Sequence, residues 1–581
     1  MTATDDASPD YLSRLVRLLC KALSRSLDQP PLTGENHIAY PLALAWGLDH
    51  PANTLAGDGR LPERAAEMCD AQVAQWRAVL PAPGPRDSNE WNALAAAYCD
   101  VKLAPAVPEQ RRAAWREYVR EYLDAQMTRP FFFTSYNHEA QRCLTLQFAG
   151  ELYGRDDWRR RAAFFTRQLL GFATEHGFWE EGPHHGPSMS YNDIMLPALA
   201  WMYRLTGEEA FGAAAGRLAE FQAIYGYPDG TTSGPFDGRV GTVPGHRRLA
   251  VAGLELAPVG RTMMRRQLAA AEEWLERFPA ADGRAKGHFV ALAIDYYHRF
   301  GLPPGSAEAP PLDADGAVVA SHTPHFDGLA ARRGPWAVTL SGQRSEVPKL
   351  MRSVFRLDRQ SRIELWHEKL GVVVGGGHNK PGQPVPLANA VVHSGFGNVA
   401  ADFGHIGPAD GDKPMGWLDR LATFLARSAR TGMDGQTPTL ELDFAHAAIR
   451  FEVHLETDRA TIRWRFEQRG TRVLALQLPV VVGPGGRISA DGRELPKRFA
   501  PPEAAPCRSV GVEAPDGRFT VTAPADGAAT CLRWPLIPVI TYAEDTEEVF
   551  RAAPYHIGLL STQLTDPPET GEGQWVVTCQ A

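Results

Sequence analysis

Between Tyr11 and Gly301 apolar residues recur at the i, i+3, i+4, i+7 spacing of one helix face. The clearest runs are YLSRLVRLLCKALSRSL (11–27), ERAAEMCDAQVAQWRAVL (63–80), NEWNALAAAYCDVKL (89–103) and QRRAAWREYVREYLDAQM (110–127). The same spacing continues in HEAQRCLTLQFAGELYG, DWRRRAAFFTRQLLGFATEHG, NDIMLPALAWMYRLTG, EAFGAAAGRLAEFQAIYG, RTMMRRQLAAAEEWLERF and HFVALAIDYYHRFG. With weaker candidates at HIAYPLALAWGL and HRRLAVAGLEL, about a dozen helices are expected. Gly154, Gly177, Gly207, Gly226 and Gly301 stand just past a last apolar position, where a left-handed residue stops a helix. Such an array closes either as a solenoid or as an (α/α) toroid, and the lack of a strict repeat favours the toroid.

The pattern changes after Gly301. Residues 302–317, LPPGSAEAPPLDADGA, hold four prolines in their first ten positions and cannot continue a helix. Beyond them come period-2 or β-branched runs: WAVTLSG, SVFRLD, RIELWHEKLGVVVGGG, TLELDF, AIRFEVHLE, ATIRWRFEQ, RVLALQLPVVV, FTVTA and QWVVTCQ. DG, GPGG and PDG turns separate them. The expected organisation is α then β: an N-terminal (α/α) toroid over 1–305, a Pro-rich linker over 306–318 and a C-terminal antiparallel β-sandwich over 319–581.

Composition narrows the function. Of the residues 44% are apolar and 22% charged, as in an ordinary globular chain. Lys and Arg number 60 against 68 Asp and Glu, a net charge of −8 without a dense basic run. Nucleic acid and a polybasic membrane patch are therefore excluded as main partners, whereas an anionic substrate needs only a few cations in a cleft. The seven cysteines are scattered without a CxxC, which predicts reduced, mostly buried thiols. No run reaches the roughly 18 apolar residues of a membrane span. The start, MTATDDASPDYLSRLVRLLC, is acidic before it is apolar, so the expectation is a cytoplasmic protein; a trimmed secreted or periplasmic protein would read the same. GxGxxG, GxxxxGK[ST] and GxSxG are absent, which leaves nucleotide-dependent and α/β-hydrolase chemistry without support.

Candidate chemistry concentrates between the helices. RPFFFTSYNHEA places Tyr136, Asn137 and His138 at a helix start, where Asn137 could equally serve as an N-cap. GFWEEGPHHGPSMSYNDIM crowds Trp179, Glu180, Glu181, His184, His185, Tyr191, Asn192 and Asp193 ahead of the next helix, a longer and more aromatic loop than a connection requires. Here Ser190 or Asp193 could be a cap and Tyr191 a packing staple.

The Asn137-His138 pair, followed 54 residues after Asn137 by Tyr191 in a loop that begins EGP and leads into LPALAWMY, resembles the heparinase II/III-like and oligoalginate lyase superfamily of polysaccharide lyases. Alginate-lyase members tend to carry two tyrosines after EGP, where this chain has His184 and His185. The resemblance implies a toroid followed by a β-sandwich, and β-elimination on a uronate-containing oligo- or polysaccharide that leaves a 4,5-unsaturated end. It implies Tyr191 as general acid, Asn137 as neutraliser of the carboxylate and His138 as base, with Tyr191 a second possible base. It further implies a histidine from the β-domain, for which His367 in ELWHEKLG and His378 in VVVGGGHNKPG compete.

These roles suit the residue types. An amide can hydrogen-bond the dianion that forms when the proton next to a carboxylate leaves. An imidazole with a pKa near 6.5 and a phenol near 10 can move protons, the phenol as base only beside cations. Substrate contacts are expected from Arg239 and Arg247 in the Gly/Pro-rich segment GYPDGTTSGPFDGRVGTVPGHRRLA, by bidentate grip, and from His185, Trp179, Tyr136 and Trp91. No cofactor is expected, and no metal: Asp402, His405, His393 and His446 lack ligand spacing. The rival reading is an inverting glycoside hydrolase using two carboxylates among Glu180, Glu181, Asp193 and Asp237; a carbohydrate-binding protein without turnover is the third. Oligomeric state is not legible.

Overall fold

The computed structural model describes residues 8–27, 38–79, 90–131, 136–180, 186–236, 252–277, 283–343, 361–375, 390–393, 426–444, 446–470, 473–498, 503–524, 529–536 and 555–580. They fall into two compact units. One comprises Met1–Gly182, Tyr191–Ala223 and Arg247–Ala309, the other Pro183–Ser190, Ile224–His246 and Pro310–Ala581. Two short segments of the helical half, Pro183–Ser190 and Ile224–His246, thus belong with the β unit.

The described part of the first unit holds eleven helices: α1 (Ser8–Leu27), α2 (Ala39–Gly47), α3 (Arg60–Val79), α4 (Glu90–Lys102), α5 (Glu109–Thr128), α6 (Tyr136–Leu152), α7 (Asp156–Leu170), α8 (Met189–Thr206), α9 (Glu209–Ile224), α10 (Pro258–Arg277) and α11 (Gly283–Phe300). Inner and outer helices differ in sequence. α4 carries an apolar and small run from Ala93 to Cys99, α6 buries polar residues such as Gln141, Thr145 and Gln147 along with its apolar ones, and almost every residue of both is buried. α5, α7 and α9 bury one stripe each, such as Trp115, Tyr118, Val119, Tyr122 and Leu123 in α5. A chain of ring contacts joins the inner helices: Tyr40 to Tyr98 at 4.3 Å, Tyr98 to Phe148 at 6.1 Å, Phe148 to Trp201 at 5.4 Å and Trp201 to Tyr296 at 5.5 Å. α1 closes the ring, with Tyr11 edge-on to Tyr297 of α11 and Arg14 paired in fork geometry with Glu272 of α10. This is the (α/α) toroid.

Gly154, Gly207 and Gly301 end α6, α8 and α11 at φ of 66°, 71° and 72°, as their positions in the sequence require. Gly226 instead enters an isolated bridge with Thr232. The weak helix candidate HRRLAVAGLEL is a single 3₁₀ turn, Leu254–Leu256, among the described residues.

The second unit carries the strands β1 (Val318–His322), β2 (Phe326–Arg333), β3 (Trp336–Gln343), β4 (Arg362–His367), β5 (Gly371–Val374), β6 (Ala390–His393), β7 (Ser428–Asp434), β8 (Thr437–Asp443), β9 (Ala447–Leu455) and β10 (Arg459–Gln468). They continue as β11 (Val473–Val482), β12 (Arg487–Ala490), β13 (Arg493–Glu494), β14 (Glu503–Pro506), β15 (Ser509–Ala514), β16 (Gly517–Thr522), β17 (Ala529–Leu536), β18 (His556–Thr565) and β19 (Thr570–Gln580). One antiparallel sheet runs β1-β2-β3-β4-β5-β11-β18-β17-β14, with β6 also on β11; the other runs β13-β12-β15-β16-β19-β10-β9-β8-β7. Their inner faces share one core, to which Trp336, Leu340, Leu365 and Leu478 come from the first sheet and Phe451, Ile462, Trp464 and Trp575 from the second. β9 alternates buried and half-buried at every position, the period-2 pattern of its sequence. The run SVFRLD lies outside the described residues.

One device in this core is testable. Trp464 and Phe466 of β10 stand opposite Gly573 and Gly571 of β19, and a Cβ on Gly573 would lie 2.3 Å from the Trp464 ring. The glycines make room for the two rings, which stack at 6.1 Å. Gly573→Ala is therefore expected to cost about 2 kcal/mol through overpacking, read as a lower midpoint in urea unfolding; an unchanged midpoint would refute the close packing.

Candidate active site

α6 begins at Tyr136, so Asn137 and His138 are first-turn residues and Asn137 is not a cap. Asn137 is buried, and its Oδ1 has no hydrogen-bond partner among the described residues. The His138 ring is 38% exposed, with Nδ1 3.7 Å from Oε2 of Glu90. Glu90 is a buried first-turn residue of α4, and Thr145 of α6 donates from Oγ1 to its carbonyl at 3.1 Å. Positions 138 and 145 share one helix face, which is the face α6 turns to α4. Sequence reasoning missed Glu90 because an acidic residue in a first helical turn is ordinary dipole chemistry.

Tyr191 lies in the first turn of α8 and is half-buried. Its neighbour Asn192 fixes that turn: Asn192 Oδ1 accepts from the Trp179 backbone N–H at 3.1 Å, and its Nδ2 donates to the Trp179 carbonyl at 3.2 Å. Trp179 in turn donates from Nε1 to the Leu169 carbonyl at 2.8 Å, in the last turn of α7. Pro197 lies inside α8 and has no N–H to return to the Asp193 carbonyl, so the turn that carries Tyr191 lacks that bond of the ladder.

Two independent paths place these first turns at one end of the helical unit. Tyr136 stacks at 5.2 Å on Phe172, two residues past α7, while Trp179 ties α8 to Leu169 of α7. The starts of α6 and α8 therefore meet the same helix end. Measured from the Phe148–Trp201 contact, Asn137 and Tyr191 lie 11 and 10 residues back along their helices, about 16 and 15 Å at 1.5 Å per residue. Glu90 joins through His138, and Trp91 beside it lies edge-on to His288 of α11 at 4.4 Å. The first turns of α6, with Asn137 and His138, and of α8, with Tyr191, are thus tied to the same end of α7, and Glu90 of α4 stands beside His138.

Several expected contacts are corrected. Trp179 is 2% exposed with its indole N–H already engaged, so it is a core residue that latches α8 and has no face for a sugar. Tyr136 is 7% exposed and packs on Phe172, so it supports the start of α6. His367 is buried in β4, edge-on to Trp336 at 4.8 Å, and its Nδ1 accepts from the Lys369 N–H in the turn to β5. Burial pushes its pKa below the ordinary range, as packing in a strand does. Trp91 remains half-buried. His185, His378, Arg239 and Arg247 lie outside the described residues, as do Glu181, His184 and Asp237.

The second unit holds a buried carboxylate that the sequence reading passed over. Oε1 of Glu364 in β4 accepts from the Tyr227 hydroxyl at 2.8 Å and from the Gly234 N–H at 3.0 Å, while its Oε2 has no hydrogen-bond partner among the described residues. Tyr227 also meets Thr339 Oγ1 at 2.8 Å and stacks on Trp366 at 5.5 Å, and Asp229 accepts from the Trp366 indole at 3.1 Å. Gly375, at φ 128°, is where a Cβ would strike Glu364. Burial pushes the Glu364 carboxyl up to about 7, against the pull of the Gly234 N–H, the Tyr227 hydroxyl and Arg362. Residues 226–236, expected as part of a binding loop, are thus held to the first sheet by Glu364. Among the described residues no group of three or more His, Cys, Asp or Glu could hold a metal ion, and no described helix is long and apolar enough to cross a membrane.

No protein-family model and no curated protein matches the sequence. Solved structures do match. The chondroitin AC lyase of Streptomyces coelicolor A3, in complex with chondroitin sulphate, is 13% identical with a TM-score of 0.54, over 100% of this chain and 81% of that one. A point variant of that lyase gives 14% and 0.51 over the same shares. A Paenibacillus xanthan lyase gives 10% and 0.51, over 100% of this chain and 58% of that one. At these identities the likeness is one of fold, and this chain has the fold of those polysaccharide lyases: an N-terminal (α/α) toroid followed by an antiparallel β-sandwich.

Proposed function

We propose that this protein is a polysaccharide lyase that cleaves a uronate-containing glycan by β-elimination. The observation that carries the reading is that the first turn of α6, which bears Asn137 and His138, and the first turn of α8, which bears Tyr191, are tied to the same end of α7. The lyase fold supports it. In this reaction a base takes the proton from C5 of the uronate, the C4–O bond breaks, a C4=C5 double bond forms and the departing oxygen takes a proton.

Each residue type fits one step. Asn137 is buried with unspent hydrogen-bonding capacity, and rotation of its amide by a half turn presents Nδ2 where Oδ1 stands. An amide donor in a buried place stabilises charge that develops on the substrate carboxylate far better than water does. His138, half in solvent, takes the proton as base. Tyr191 returns a proton to the leaving oxygen, and serves as the alternative base if one phenol does both. No observation favours the hydrolase.

The test is ultraviolet absorbance during incubation with a panel of uronate glycans, where a conjugated 4,5-unsaturated end absorbs and a hydrolysis product does not. A rise is expected, and Asn137→Ala is expected to slow it about 10²–10³-fold. Reducing ends released without absorbance would sink the lyase reading, and a full rate in Asn137→Ala would sink the site.

A further inference from the structure

We infer that Glu90 is a positioning residue for His138, holding the imidazole by Nδ1 and stabilising its protonated form so that Nε2 faces the substrate. The catalytic consequence rests on the lyase reading above; the coupling itself does not. Three features of the pair carry the inference. The Glu90 side chain is only 4% exposed, and its Oε2 finds no hydrogen-bond partner among the described residues. A carboxylate so placed is costly unless a cation or donor completes it. The group within 4 Å is the His138 ring, at 3.7 Å, a gap that a small side-chain rotation turns into a hydrogen bond. Moreover Glu90 is not placed by chance, since Thr145, on the same face of α6 as His138, fixes its carbonyl.

Several charged groups of the elements around His138 have partners of their own. Glu139 pairs with Arg142 inside α6, and Arg161 of α7 lies over Phe165 at 4.0 Å. Asp100, at the far end of α4, holds Arg112 and Arg116, and Arg299 of α11 holds Asp295. His288 of α11 lies edge-on to Trp91, while Tyr191 and Asp193 stand in the first turn of α8. Glu90 is the carboxylate that the packing of α4 on α6 sets beside the His138 ring. A histidine bound by Nδ1 to a buried carboxylate keeps one tautomer and one ring orientation, which leaves Nε2 as the working nitrogen.

The experiment follows His138 acylation by diethyl pyrocarbonate across pH, read on its peptide by mass spectrometry in the full-length protein, for the parent, Glu90→Gln and Glu90→Asp. In Glu90→Gln the midpoint is expected to fall by about one pH unit, a tenfold change in the imidazole equilibrium, with Glu90→Asp between the two. On a uronate glycan the acid limb of kcat/KM moves by the same amount and KM stays nearly constant. Coincident midpoints in the parent and Glu90→Gln overturn the inference, and if Glu90→Gln fails to fold, coincidence of the parent and Glu90→Asp does so. A purely structural Glu90 would lower stability without moving either pH profile. Should the parent give no unsaturated product on any glycan, the lyase reading falls and the peptide titration still decides the pair.

Discussion

Tyr191→Phe is expected to lower kcat on a uronate glycan by about 10²–10⁴-fold while KM changes little. The substitution removes one oxygen and no ring. The Tyr191 side chain is half-buried in the first turn of α8, and the turn is held by Asn192 and Trp179, neither of which needs the phenol. The ring and its packing therefore stay, and what the lyase reading expects to be lost is the proton for the departing sugar oxygen, needed only on the way to the transition state. Substrates with an activated leaving group need that proton less, so they should lose much less rate. Steady-state kinetics by ultraviolet absorbance, paired with a thermal unfolding curve, checks both halves. A variant with the parental rate would remove Tyr191 from the mechanism whatever the fate of the lyase reading.

Glu364→Gln should change how the stability of the protein depends on pH. The folded-state carboxyl titrates near 7 and the ordinary value is 4.5, so ionisation favours the unfolded chain. Below about 4.5 both states hold the proton and nothing is lost. As pH rises from 4.5 to 7 the unfolded chain gives up the proton first, and the parent loses stability by about 3.5 kcal/mol, from two and a half units at roughly 1.4 kcal/mol each. Above 7 the loss is complete. A glutamine keeps an oxygen for the Tyr227 hydroxyl and the Gly234 N–H but has no proton to lose. Urea midpoints at pH 4 and pH 8 should therefore differ in their spread, with pH 4 as the common point: the variant gains on the parent toward pH 8 and not at pH 4. Parallel profiles would mean that Glu364 does not titrate in this window.

Much of the fold was legible because it rests on periodicity. The apolar spacing located ten of the helices, from α1 at Ser8–Leu27 to α11 at Gly283–Phe300, although α7 ends at Leu170, seven residues before the expected stop at Gly177, and the weaker HIAYPLALAWGL became α2. It also found β3, the β4–β5 hairpin, β8 through β11, β16 and β19. Strands such as β13 and β14, of two and four residues, are too short to carry a period. Asn137 and His138 stood out through the family resemblance and not by position, since a polar pair at a helix start reads equally as a cap and a first-turn residue.

What the sequence could not supply is which polar side chains find partners. Trp179 and Tyr191 stand in one aromatic loop, yet a hydrogen bond to Leu169 makes the first a core latch and leaves the second in the first turn of α8. His367 and Glu364 share the strand RIELWH, and only the turn after β4 and the packing of Tyr227 decide that one is a buried turn fixture and the other a carboxyl pushed up to about 7. Glu90 is 47 residues before Asn137 and meets His138 only because α4 and α6 pack as inner neighbours. The sequence by itself determined the order of helices and strands, since burial of one face follows from spacing along the chain. Which polar side chains are buried, which are paired and which are left open belonged to the tertiary structure, because desolvation and hydrogen bonding act across distances in space that no spacing along the chain encodes.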